Sequence, residues 1–95
     1  MLSREFKRFH LENPQVFNRL ARLAFDLQDK GHKRGSIEML FNVLRWETMM
    51  AIHDPGSQYK LNNNYKPFYA RMLMDVFPAL DGFFEIRGLR ALVTL

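Results

Sequence analysis

Apolar residues recur at helical spacing in three segments of this chain. Phe17, Leu20, Ala21, Ala24 and Leu27 fall three and four apart. Ile37, Leu40, Phe41 and Leu44 repeat the pattern, and so do Phe68, Tyr69, Met72, Leu73 and Val76. Arg19, Arg22, Asp26 and Asp29 lie largely off the first stripe. Boundary signals agree with the stripes. Asn13-Pro14 opens the first helix, with asparagine as N-cap and proline at the first helical position, and Gly31 closes it. Ser36 caps the second, Pro67 suits the first turn of the third, and Pro78 ends it. The predicted helices are 14–30, 37–50 and 66–77. Tyr59-Lys60-Leu61 reads as a very short strand, and Phe83 to Arg87 shows partial alternation with high strand propensity. Gly88 breaks that run, leaving residues 89–95 as a return strand or a docked tail.

Three helices followed by a hairpin give a mainly α (α+β) class, a winged helix-turn-helix-like domain with a short C-terminal β-hairpin. Residues 1–95 form a single domain: a basic lead-in over 1–12 carrying Phe6, Phe9 and Leu11, a core over 13–87, and 88–95 as tail or second wing strand. In such modules the third helix enters the major groove and the hairpin touches the flanking backbone. The connection between the second and third predicted helices, about a dozen residues, is longer than a compact turn.

Composition narrows the function classes. Hydrophobic residues make up 47% of the chain, with nine Phe and six Met, enough to fill a core and to argue against disorder. The six methionines are expected mostly in the core or an interface. The absence of cysteine excludes disulfides, thiolate metal sites and thiol redox chemistry. No run of eighteen apolar residues is present, and the first eight residues are charged rather than apolar, so a soluble protein of the cytoplasm with no membrane contact is expected. His10, His32 and His53 are far apart, and no nucleophile elbow, phosphate loop or Asp-x-Glu-x-Lys-type cluster occurs. His53-Asp54 and Glu47 could bind a metal only if the fold brought them together. The expectation is a protein without catalysis, cofactor or metal.

The net charge of +4 favours phosphate or acidic protein as a partner. Asn62, Asn63 and Asn64 run into the third helix, and asparagine both tolerates left-handed backbone and bonds its own main chain. The trio either pairs with base edges or simply builds a tight turn. Lys60, Lys66 and Arg71 flank it as candidate phosphate contacts, joined by Lys33 and Arg34 of the connector between the first two helices and by Arg87 of the wing. Arg45 and Glu47 diverge on the second helix, and one of them is expected to bond the asparagine turn and hold it rigid. Trp46 is expected in the core. Met72 and Met74 cannot share a helix face, and Phe83 and Phe84 point oppositely on a strand, so a homodimer is expected.

Arg45-Trp46-Glu47-Thr48, Lys60-Leu61-Asn62-Asn63-Asn64-Tyr65, Tyr69-Ala70-Arg71, Pro78 and Phe83-Phe84-Glu85 with Arg87 form a pattern that resembles a small family of uncharacterised proteins common in phage and prophage genomes. The similarity covers about residues 12–87. It implies a setting, a mobile element or its bacterial host, and no activity. Two functions are therefore expected. The first is a phage-type DNA-binding regulator or accessory factor that engages double-stranded DNA with the asparagine turn and third helix. The alternative is a protein-binding module that inhibits or modulates a host enzyme or defence complex.

Overall fold

The computed structural model describes residues 3–51 and 61–85. Four helices account for most of them: α1 (Arg4–Glu12), α2 (Pro14–Asp29), α3 (Ile37–Ala51) and α4 (Lys66–Val76), with short 3₁₀ turns at Asn63–Tyr65 and Pro78–Leu80. The protein is mainly helical, and no strand forms among the described residues.

α1 lies in the expected lead-in. Ser3 caps it, its hydroxyl accepting from the Phe6 amide at 3.0 Å, and Glu5 sits in the first turn, where the helix dipole favours an acid. Phe6 is fully buried, 4.8 Å edge-on to Tyr69, 5.1 Å from Phe68 and 5.5 Å from Tyr65. That burial holds a nine-residue helix, too short to persist alone. A single residue, Asn13, joins α1 to α2. It makes no side-chain cap for α2; both its backbone N–H (2.8 Å) and its side-chain amide (3.1 Å) donate to the Phe9 carbonyl, closing α1 instead.

α2 and α3 pack on one another, α4 lies against both, and α1 lies against α2. Val16, Leu20, Ala21 and Ala24 of α2 meet Leu40, Phe41 and Leu44 of α3 and Tyr69, Ala70 and Leu73 of α4 in one core. Gly31 ends α2 at φ 97°, letting the His32 amide reach back to the Leu27 carbonyl at 3.1 Å. Ser36 caps α3 by accepting from the Met39 amide at 3.2 Å.

The expected wing is not seen. Phe83 and Phe84 are both buried and lie edge to face at 5.1 Å, instead of pointing to opposite sides of a strand. The segment forms one isolated parallel bridge, Gly35 to Phe84, with the Gly35 amide donating to the Phe83 carbonyl at 3.0 Å. Its backbone is thus tied to the connector after α2 and has no hairpin partner among the described residues. Leu61 is buried without strand pairing, while Tyr59, Lys60 and the remainder of the expected wing and tail, 86–95, lie outside the described residues. Met72 and Met74 both pack against the core, so neither they nor the Phe pair argues for a dimer.

Gly35 tolerates no side chain. A Cβ there would sit 2.4 Å from Cε2 of Phe83, a ring that is itself buried. Gly35→Ala is therefore expected to destabilise the fold by about 1–3 kcal/mol through overpacking, measured by denaturant unfolding.

Candidate functional site

The asparagine corner is built as a self-satisfied turn. Asn62 is extended (φ −76°, ψ 128°), and its side-chain oxygen accepts from the Asn64 amide at 2.8 Å while its carbonyl accepts from the Tyr65 amide at 3.0 Å. Among the described residues none other than glycine has positive φ, so the left-handed geometry expected of these asparagines is not used. Leu61 and Tyr65 are buried at the two ends of the corner, Tyr65 within 5.1 Å of Phe9 as well as against Phe6.

Arg45 of α3 holds the corner from the other side. Its guanidinium donates to the Leu61 carbonyl at 3.0 Å, to the Asn63 side-chain oxygen, and to Asn42 at 3.3 Å, and it lies 5.7 Å from the centre of the Phe41 ring. Glu47 faces the opposite way. Arg19 of α2 grips it in a two-pronged pair at 2.8 and 2.5 Å, joining α2 to α3. That hydrogen-bonded pairing lowers the Glu47 carboxyl below its ordinary value and raises Arg19.

The predicted contacts are distributed as follows. Asn62 is spent on the turn, Asn63 is exposed but engaged by Arg45, and only Asn64 presents a side chain with no hydrogen bond among the described residues. Lys66 lies 4.0 Å from Glu38 and Arg71 lies 3.7 Å from Asp75, so both have acidic neighbours. Lys33 and Arg34 are exposed and make no ion pair among the described residues. Lys60 and Arg87 lie outside the described residues. The Lys66–Glu38 pair sets the start of α4 beside the start of α3, the same end of α3 at which the 31–35 connector arrives. His10 packs among Phe6, Phe17 and Tyr69, His32 is exposed, and His53 lies outside the described residues. No group of three or more metal-ligating side chains occurs among the described residues, and no helix there is long and apolar enough to cross a membrane.

No family model, curated protein or solved structure matches this chain.

The outer face of α3 is the feature the sequence pattern misplaced. Trp46, expected in the core, is 62% exposed, and Met39, Met49 and Met50 are exposed beside it. The core face of the helix is already filled by Leu40, Phe41 and Leu44, and position 46 falls away from it. α3 is thus apolar on two sides, with only one of them covered. The signal was present: Met39, Val43, Trp46 and Met50 form a second apolar series interleaved with the first.

Arg45→Ala is expected to lower stability by about 1.5–3 kcal/mol, because the buried-side carbonyl of Leu61 loses a charged donor; Arg45→Lys recovers only part of that in the same denaturant titration. Glu47, held below its ordinary value, contributes stability that is complete above pH 4.5 and declines as pH falls through its lowered pKa. The pair is partly solvent-exposed, so the contribution is about 1 kcal/mol or less. Glu47→Gln should remove this acid-side slope from Tm measured against pH, leaving the rest of the profile in place.

Proposed function

We propose that this chain is a protein-binding module that works through the outer face of α3, in keeping with the phage or prophage setting that its sequence pattern resembles and with a role in modulating a host enzyme or defence complex. One observation carries the proposal: Met39, Trp46, Met49 and Met50 leave an uncharged, aromatic-centred patch on a rigid helix. Tryptophan dominates the energetics of protein contacts, and flexible methionines adapt a surface to its partner. Scattered single apolar residues such as Leu11 and Val76 need no such account. Nucleic acid gains little from an apolar stripe without cations, since its binding rests on phosphate neutralisation.

DNA binding is the second reading, in its winged-helix-like form or without a wing. It is favoured by Lys33, Arg34 and Lys66 belonging to elements that meet at the start of α3, and by Asn64, whose side chain has no hydrogen bond among the described residues. Its cost is that two of the three asparagines already have work inside the chain, which leaves little for base-edge pairing and points to phosphate contact alone.

A photo-crosslinking amino acid at Met49 separates the two in cells. The expected adduct is with protein and is lost when Trp46→Arg is added; an adduct with nucleic acid, or none, overturns the first proposal. Duplex binding that falls steeply with salt, and falls further in a Lys33→Ala, Arg34→Ala double variant, would establish the second.

A further inference from the structure

We infer that the outer face of α3 pairs with the same face of a second copy of this chain, the two helices running antiparallel. This rests on the protein-contact role proposed above and makes a second copy the occupant of that face, which a host protein would have to displace. Met39, Val43, Trp46 and Met50 are separated by four, three and four residues. That is the 3.5-residue repeat with which one helix buries a seam along another. A twofold axis makes a single patch its own complement, so one seam suffices for both copies.

The side-chain sizes select the direction. Antiparallel helices centred on the seam set Trp46 against the partner's Val43 and Met39 against the partner's Met50. Each layer then joins a large side chain to a small one, or two flexible ones. Parallel helices would instead crowd Trp46 onto the partner's Trp46 and leave Val43 facing the partner's Val43 across a gap. Charge permits the contact as well. Each copy carries a net charge of +4, but the seam itself has no charged residue. Of the charges beside it, Glu47 is paired with Arg19, and the Arg45 guanidinium is turned to neutral acceptors of the asparagine corner. The area reaches the threshold when the face is fully covered: the exposed parts of these side chains with the flanking Met49 amount to roughly 500 Å² per copy, so two faces bring together at most about 1,000 Å², the lower bound for a specific pair.

Trp46 is the only tryptophan and sits within the seam, so its emission reports on this face alone. Sedimentation velocity and Trp46 fluorescence would be followed on the full chain from low micromolar to near-millimolar concentration. The expected result is a monomer-to-dimer shift, with Trp46 emission moving to the blue over the same range. Met50→Arg, at a position 67% exposed, should keep the helical circular dichroism and Tm of the parent. It should weaken pairing by about thirtyfold or more. A wild-type chain that stays monomeric, with the emission of a water-exposed indole, overturns the dimer and leaves the face open to another protein. A monomer with blue-shifted emission at every concentration shows the face covered by its own chain and overturns both the dimer and the role proposed for the face. A dimer insensitive to both Met50→Arg and Met39→Arg places the interface elsewhere and overturns the inference.

Discussion

The arrangement of the helices depends on the burial of one ring. Phe6 has no exposed surface and touches aromatic side chains from the 3₁₀ turn (Tyr65) and from α4 (Phe68 and Tyr69). Tyr69 in turn meets Phe41 of α3 at 6.0 Å. Aromatic rings bury large areas and lock in preferred offset and edge-on geometries, so such a junction fixes angles as well as distances. Through it α1, a helix without enough length to hold itself, becomes the wedge that positions α4 and the corner before it. Phe17, Phe25 and Phe77 extend the same packing to the far end of α4, where Phe77 stacks at 5.9 Å on Phe17 and stands edge-on at 5.2 Å to Phe25.

α3 receives three different demands. Leu40, Phe41 and Leu44 serve the core, Arg45 fastens the asparagine corner, and Glu47 fastens α2. Both charged residues in the middle of the helix are consumed by these attachments. What remains on the outside beyond the exposed Asn42 and Glu38 is the apolar set Met39, Trp46, Met49 and Met50, carried on a helix whose orientation is fixed from both flanks. A rigid, charge-free aromatic face loses little conformational entropy when it is covered.

Much of the helical framework was legible in the sequence, and the reasons are local. The stripes beginning at Phe17, Ile37 and Phe68, the Ser36 cap and the Gly31 stop are decided within a turn or two of chain, and α2, α3 and α4 appear within a residue or two of their expected bounds. α1 was hidden by its own surface: Arg4, Lys7 and Arg8 read as a basic lead-in, although Ser3 and the Phe6–Phe9 spacing carried a cap and an apolar edge. The described start of the expected wing, Phe83 and Phe84, departs from a strand for a different reason. Phe83 and Phe84 have strand-like side chains, but what they bond is Gly35, a residue far off in sequence whose missing side chain makes room for a ring, and no local pattern reveals that. The site divides in the same way. Clustered asparagines announce a turn, but whether their amides face outward depends on Arg45 arriving from another helix. Trp46 was assigned by residue type when its position relative to Leu44 already placed it outside.

The link between Gly35 and Phe83, with the neighbouring bond at 2.5 Å from the Gln28 side chain to the Ala79 carbonyl across 51 residues, joins the middle of the chain to its last described turn. Closing so long a loop is entropically slower than pairing α2 with α3 across a short connector. In a chain made from its N-terminus, α2 and α3 are synthesised before the segment that completes this junction, so the place kept free at Gly35 is filled only once Phe83 has been added.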